Sequence, residues 1–272
     1  MRILISTDIE GVAGVFHAEQ ARPGNPEYER ARVWMTAEAN AAAIGALDGG
    51  ATEVIVNDSH GGFRNILSHQ LDPRVRVVQG KPRRLGMMGG LEEGCDGVML
   101  VGYHSRAQGR GILAHTINGF AFSRVFINGQ ELGEAGLYGA LAGEMDVPVL
   151  MAAGDDVFIA ENQGLLPGTR WVQTKSAHGQ GSGVSLSQQQ SCEAIATAAR
   201  LALGERAALR PMRIAAPIEC RLQVQTTALA DLFCLWPTLE RIDGVTLRFT
   251  VESMASAIRV LNSLSAMSYM LR

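Results

Sequence analysis

The feature that most constrains the fold is a series of short apolar runs that lack the in-and-out alternation of a half-exposed strand. The runs are Arg2–Ser6, Glu53–Val56, Val75–Gln79, Gly97–Val101, Val147–Ala152 and Trp171–Thr174. Helical segments lie between them, such as Pro26–Leu47, which has a proline near its start and stops at Asp48-Gly49-Gly50. This pattern predicts an α/β fold, with a mainly parallel sheet and helices on both faces.

One hairpin interrupts this scheme. Phe120–Ile127 and Gln130–Leu132 flank Asn128-Gly129, which is the strongest short hairpin signal. We predict a helix over Glu134–Glu144 directly after the hairpin. A further helix is predicted over Ser187–Leu203, closed by Gly204.

The last part of the chain has a different pattern. Arg213–Thr226 contains two strand-like pieces around Pro217, and Ala228–Glu240 is helical in pattern up to Trp236-Pro237. A strand over Val245–Val251 and a helix over Glu252–Leu271 follow. We therefore predict an α/β metal-binding catalytic domain at 1–205 and a small C-terminal α+β unit at 206–272. The glycine-rich stretch His178–Gly183 is a candidate mobile loop.

Composition argues against several partner classes. The net charge is −3 and the basic residues are spread out, so we expect neither nucleic acid nor membrane as a partner. The only dense basic cluster, Lys81–Arg84, is predicted to be a solvated loop. The four cysteines form no CxxC pair, which indicates a reducing compartment. No apolar run approaches a signal peptide or a span of about 18 residues, so we expect a cytoplasmic location.

Polar side chains collect just past the ends of the predicted strands. In open α/β sheets, ligands bind outside the carboxyl ends of the strands. The residues at these positions are Asp8 and Glu10, Asp58 and His60, His104, and Asp155 and Asp156. Carboxylates and imidazoles that converge in this way are a divalent-metal ligand set, and imidazole suits zinc. Glu134, which opens the helix after the hairpin, is a further carboxylate candidate.

Each of these residues has an ordinary alternative. Asp8 could cap a turn, and Glu10 could be a surface acid. The Asp58-Ser59-His60 stretch could be turn chemistry, and His104 could be a core histidine. Glu134 could complement a helix dipole. Asp155 and Asp156 could serve the site or cap a helix.

His115 is predicted to play a different part. It lies eleven residues past His104, in a loop before the hairpin. A histidine beside a metal site that does not bind the metal is suited to general acid or base catalysis.

These motifs together resemble a known family. The segments are Ser6-Thr7-Asp8-Ile9-Glu10-Gly11, Asn57-Asp58-Ser59-His60-Gly61, Gly102-Tyr103-His104, Ala114-His115-Thr116, Asn128-Gly129 followed by Gly133-Glu134, and Gly154-Asp155-Asp156. In this order they resemble the binuclear zinc D-aminopeptidases associated with bacterial dipeptide-transport operons. The resemblance covers the chain to about residue 175.

The resemblance implies a site with two zinc ions per subunit. Asp8, Glu10, His60, His104 and Glu134 match the family's metal ligands, with Asp8 as the bridge. His115 matches its acid/base position. Lys175 matches a lysine after the last core strand, and with Asp155 and Asp156 we expect it to bind substrate. The family also implies a ringed homodecamer. Ser176–Ser185 is richer in Gly, Ser and Gln than the family pattern, which bears on substrate preference.

The sequence therefore predicts a zinc-dependent aminopeptidase that removes N-terminal residues, D-amino acids by resemblance, from short peptides. One alternative is a phosphatase of the haloacid-dehalogenase type, but Gly154-Asp155-Asp156 precedes Lys175, the wrong order for that class. The other alternative is a non-catalytic metal- or peptide-binding subunit.

Overall fold

The computed structural model describes residues 1–272. Its strands are β1 Arg2–Thr7, β2 Glu53–Asp58, β3 Arg76–Val78, β4 Gly97–Val101, β5 Phe122–Ile127, β6 Gln130–Glu131, β7 Val149–Asp155, β8 Arg170–Gly179, β9 Ser182–Ser185, β10 Ile218–Val224, β11 Glu240–Arg241 and β12 Thr246–Val251. Its α-helices are α1 Ala18–Ala21, α2 Pro26–Asp48, α3 Glu134–Glu144, α4 Asp156–Asn162, α5 Gln188–Glu205, α6 Thr227–Phe233 and α7 Met254–Met267. Short 3₁₀ turns occupy Ser68–Gln70, Gly86–Met88, Leu91–Glu93, Arg206–Ala208 and Ser268–Leu271.

The larger sheet has seven strands in the order β3-β2-β1-β4-β7-β8-β9. All neighbouring pairs are parallel except β8 and β9, which pair antiparallel at one edge. The predicted α/β class with a mainly parallel sheet is confirmed. Because the strands run in one direction, the loops after β1, β2, β4 and β7 leave from one edge of the sheet.

Alternate residues of the central strands face two separate cores. Ile3 and Ile5 of β1 pack with α2 and α5 on one face. Leu4 between them packs into the second core, with α3, α7 and the smaller sheet. After its first residue, every side chain of β1 is therefore buried on one face or the other, which explains an apolar run without alternation.

The smaller sheet has five antiparallel strands in the order β11-β12-β10-β5-β6. Strands β5 and β6, at one end of this sheet, come from the hairpin. The other three strands come from the last 55 residues of the chain. The hairpin turn at Asn128 and Gly129 has positive φ at both residues, 47° and 80°, as a type I′ turn requires. The division into domains at residue 205 stays a prediction, and the smaller sheet draws strands from both sides of it.

The structure corrects several predicted elements. Arg213–Thr226 contains one strand, β10, rather than two, because 213–217 has no strand partner. Helix α5 continues through Gly204 to Glu205. The glycine-rich stretch at 178–183 is not a mobile loop but the end of the β8–β9 hairpin, where Gly179 pairs with Ser182.

The helices, the cysteines and the basic cluster at residues 81–84 bear on the predictions about membrane spans, thiol state and a solvated loop. No helix combines the length and apolar character needed to cross a bilayer. The four cysteines are free thiols, of which Cys95 and Cys220 are buried. In the basic cluster, Arg83 donates to the carbonyl of Asp58 at 2.7 Å and its guanidinium lies over the Phe63 ring.

Candidate metal centre

Five side chains from four loops meet at the carboxyl edge of the large sheet. The loop after β1 carries Asp8 and Glu10, the loop after β2 carries His60, and the loop after β4 carries His104. Glu134 is the first residue of α3. All five are at most 9% exposed. The predicted convergence is therefore observed for these five residues, whereas Asp58 accepts the Ile66 amide at 2.7 Å instead.

Asp8 lies at the middle of this cluster. Its Oδ1 is 3.1 Å from Nδ1 of His60, and its Oδ2 is 3.4 Å from Nε2 of His104. Glu10 Oε2 lies 3.0 Å from the same nitrogen of His60. Glu134 Oε2 lies 3.6 Å from Nε2 of His104. Asp8 thus touches the imidazoles on both sides of the cluster.

Both histidines are oriented by a backbone carbonyl. Nε2 of His60 donates to the Ala21 carbonyl at 2.7 Å, and Nδ1 of His104 donates to the Ser105 carbonyl at 2.9 Å. The other ring nitrogen of each therefore carries the lone pair in the neutral form and points at the carboxylates. Metal-binding histidines show this arrangement, in which the second N–H is fixed by a carbonyl or carboxylate.

The cluster strongly favours positive charge. Burial lowers the pKa of His104, but the negative charges of Glu134 and Asp8 outweigh burial and raise this pKa to about 10. The pKa of His60 is likewise raised well above its usual value, because the effects of Glu10 and Asp8 exceed that of burial. Burial acts to raise the pKa of Asp8, yet its interactions with the imidazoles of His104 and His60 hold this pKa well below its ordinary value.

His115 joins the cluster from the loop before the hairpin. Its ring stacks on that of His104 with centroids 4.1 Å apart, and its Nδ1 donates to the Leu113 carbonyl at 2.9 Å. Its Nε2 lies 3.8 Å from Glu134 Oε1. The donor atoms of His104, His115 and Glu134 lie within 4.8 Å of one another, as do those of Asp8, Glu10 and His104. His115 is therefore near enough to bind a cation, but its side chain is 26% exposed, more than those of the five buried residues.

Two glycines let the loops after β1 and β4 touch. The amide of Gly11 donates to the Gly102 carbonyl at 2.7 Å. A Cβ on Gly11 would lie 1.9 Å from the Tyr103 carbonyl oxygen, and one on Gly102 would lie 2.2 Å from the Asp8 carbonyl oxygen. Gly102 also has a φ of +71°. Only glycine fits this contact, which places Asp8 and Glu10 against His104.

The loop after β1 is held by buried polar side chains that the sequence did not identify in this role. Lys175, 2% exposed, donates from Nζ to the carbonyls of Glu10 and Val15 at 2.6 and 2.7 Å. Glu38 of α2 accepts the Ala13 amide at 3.0 Å, and burial raises its pKa to about 7. Burial lowers the pKa of Lys175 to about 8. The signal for Glu38 was an acid inside the alanine-rich stretch of α2, flanked by Ala37 and Ala39.

Three residues predicted to bind substrate make contacts within the chain. Lys175 contacts the loop of Glu10, as described. Asp155 caps α4 by accepting the Phe158 amide at 2.7 Å, and its other oxygen accepts the Ile112 amide at 2.7 Å. Asp156 accepts the Ala177 amide at 2.8 Å. Their contact with substrate stays a prediction.

Comparisons with known proteins place the chain in a family. The family model described as D-aminopeptidase matches residues 1–263. The chain belongs to this family. A curated member, the D-aminopeptidase of Bacillus subtilis (strain 168), is 37% identical over 175 residues, which are 64% of each chain. The match thus spans a little under two thirds of that relative's length.

A solved structure is similar over nearly the whole chain. It is the Zn-dependent D-aminopeptidase DppA from Bacillus subtilis, described as a self-compartmentalizing protease. The TM-score is 0.95 with 28% sequence identity, and the similarity covers 99% of this chain and 98% of that one.

Proposed function

We propose that the protein is a zinc-dependent aminopeptidase that removes N-terminal D-amino acids from short peptides. Membership of the D-aminopeptidase family supports the reaction class. The observation that carries the proposal is the pair His60 and His104. Each has one ring nitrogen fixed on a backbone carbonyl and the other aimed at a buried carboxylate.

The donor set fits zinc. Nε2 of His104 is buried without a well-formed hydrogen bond, and so is Oε2 of Glu10 despite its closeness to His60. Buried polar atoms are nearly always satisfied, so orphans of this kind point to a ligand. Imidazole nitrogens and carboxylate oxygens are ordinary zinc donors.

We assign the ligands of two zinc ions to Asp8, Glu10, His60, His104 and Glu134. The central place of Asp8 suits a bridge, since its two oxygens face different imidazoles. When bound, zinc supplies Lewis acidity toward the scissile carbonyl and activates a water nucleophile near neutral pH.

His115 is assigned the proton transfer. Because its Nδ1–H is held by the Leu113 carbonyl, its Nε2 is left to accept a proton or to deliver one to the leaving amine. Its greater exposure places it on the side of the cluster that a substrate can reach. We infer that the substrate's free N-terminal amine binds at this cluster, which restricts cleavage to the first residue.

A phosphatase of the haloacid-dehalogenase type does not suit this geometry. In that class a lysine must reach the phosphoryl group, whereas Nζ of Lys175 is buried and bonded to two carbonyls. A binding subunit without turnover is the remaining alternative.

The proposed activity is tested with zinc-loaded protein and a panel of D- and L-dipeptides, with N-acetylated dipeptides as the control. We expect release of the N-terminal amino acid from D-dipeptides and none from the acetylated ones. Prolonged chelation should abolish turnover and lower the Tm, because zinc binds only the native state. Full activity after chelation, or zinc and peptide binding without turnover, would contradict the proposal.

We also propose a cytoplasmic homo-oligomer, a decamer by resemblance. The free thiols suit a reducing compartment.

Two observations suit assembly. The similar solved structure is described as self-compartmentalizing, and three apolar side chains at the C-terminus are exposed: Tyr269, Met270 and Leu271. Nearby in the tail, Leu232 and Phe233 lie in the core, whereas Leu235 is 75% exposed and is a further apolar side chain available for contact. Light scattering that returned the monomer mass of 29.1 kDa would refute the oligomer.

A further inference from the structure

A cavity of about 430 Å³ borders the loop that continues from His104 after β4. One wall is the loop Arg106–Arg110, another is α4, and the third is the end of β8 at Ala177–Gly179. Small-molecule sites in proteins have volumes of about 300–1,000 Å³, so this cavity is large enough for a small ligand.

The cavity walls connect directly to the residues of the proposed chemistry. Arg106 follows His104 by two residues, which places their Cα atoms within about 7 Å. At the turn of the β8–β9 hairpin, the Gln180 carbonyl accepts the Leu113 amide at 2.9 Å. The Leu113 carbonyl in turn accepts Nδ1 of His115. The hairpin that departs from the family pattern therefore lies against the loop that holds His115.

The charges of the cavity do not balance. Arg106 donates to Glu161 at 2.9 Å and lies 3.5 Å from Glu131, so its charge is compensated. Arg110 is exposed and has no carboxylate within 4 Å in the structure. His178 is also exposed on the cavity wall. The cavity is thus left with one free guanidinium and a neighbouring imidazole.

We propose that this cavity binds the C-terminal carboxylate of a short peptide substrate, with Arg110 as the main contact. The inference rests on the proposed aminopeptidase function. A peptide whose amine lies at the metal centre carries its other charge at the far end, and an extended dipeptide spans about 7 Å. A guanidinium matches a carboxylate through two parallel hydrogen bonds. Such recognition limits the substrate class to very short peptides with a free carboxyl group.

The test compares a D-alanyl dipeptide with its C-terminal amide, for the zinc-loaded protein and for Arg110→Gln. We expect the wild type to have a KM for the free acid about 10–100-fold below that for the amide, the range expected for a charged hydrogen bond. Arg110→Gln should raise the KM for the free acid toward that for the amide and leave the amide unchanged. Arg110→Lys should recover part of the preference.

The matched control is Arg200→Gln, which removes an exposed arginine from the last turns of α5, near the opposite edge of the sheet. It should leave both KM values unchanged. Equal KM values for acid and amide in the wild type would overturn this inference while leaving the aminopeptidase function intact. If neither peptide is cleaved, the function fails. In that case, calorimetry measures the Kd of the acid and of the amide for the wild type and for Arg110→Gln. Tighter binding of the acid that is lost in Arg110→Gln would support the carboxylate site, and equal Kd values would contradict it.

Discussion

Two acidic pairs follow two strands of the same sheet and have opposite surroundings. Asp8 and Glu10 follow β1, and Asp155 and Asp156 stand at the end of β7. Asp8 and Asp155 are equally buried, at 3% and 1% exposure. Asp8 faces two imidazoles and accepts one backbone amide, that of Ile9, at Oδ1, whereas Asp155 accepts backbone amides at both oxygens and faces no imidazole within 4 Å.

The difference shows what makes a buried acid available to a ligand. Each oxygen of Asp155 accepts a backbone amide, so its charge stabilises the chain itself. Imidazoles can give up their protons, so the cluster around Asp8 can exchange protons for metal ions. The same strand-end position therefore serves structure in one case and, as we propose, chemistry in the other.

The largest expected effect comes from Asp8→Asn, which removes one charge without changing the side chain's size. We expect loss of bound zinc and a fall in kcat/KM of more than about 100-fold, because changes to residues that only orient a ligand already cost about 10–100-fold. Metal analysis and kinetics on one preparation check this. An Asp8→Asn variant with full zinc content would show that Asp8 is not a ligand. We expect His104→Ala to lose zinc and activity in the same way.

His115→Ala separates proton transfer from metal binding. If His115 acts on the substrate, the variant should keep its zinc while kcat falls by about 10²–10⁴-fold, the usual contribution of general acid–base catalysis. Because the interaction is made mainly in the transition state, ground-state substrate binding should change little. Loss of zinc would make His115 a ligand, as its distance to Glu134 allows. A near-normal kcat with zinc bound would show that His115 only orders its loop.

Lys175→Met tests the support of the ligand loop. The variant keeps an apolar stem but removes the two hydrogen bonds to the carbonyls of Glu10 and Val15. We expect zinc affinity to fall about 10–100-fold, as for other residues that orient ligands, with the KM unchanged once zinc is saturating. Competition with a chelating dye measures the affinity. A raised KM with unchanged zinc affinity would instead support the substrate contact predicted from sequence.

The smallest effect is expected from Asp155→Asn, the same chemical change as at Asp8. Asparagine still caps α4 through its one carbonyl oxygen, but its amide group would leave the buried Ile112 amide without an acceptor. We expect a loss of about 1–3 kcal/mol in the free energy of unfolding and unchanged zinc content. Thermal unfolding and metal analysis report the two quantities. Loss of zinc without loss of stability would reverse the roles assigned to the two pairs.

The sequence by itself determined the fold class and the convergence of the five buried residues. Short apolar runs without alternation, separated by helical segments, favour strands buried on both faces, and parallel strands bring their carboxyl ends to one edge. Polar residues placed just past those ends, such as Asp8, His60 and His104, are then brought to that edge. Local signals also set the hairpin turn at Asn128-Gly129 and the first residue of α3.

Only the tertiary structure decided which acids face imidazoles and which are used by the backbone. Asp8 and Asp155 have similar local sequence surroundings, and their partners lie up to 96 residues away along the chain. The same holds for Lys175, whose buried ammonium meets the loop of Glu10 across 165 residues. Periodicity and turn signals describe neighbours in sequence. Hydrogen-bond partners across the sheet depend on how the strands are ordered and packed, which no local pattern records.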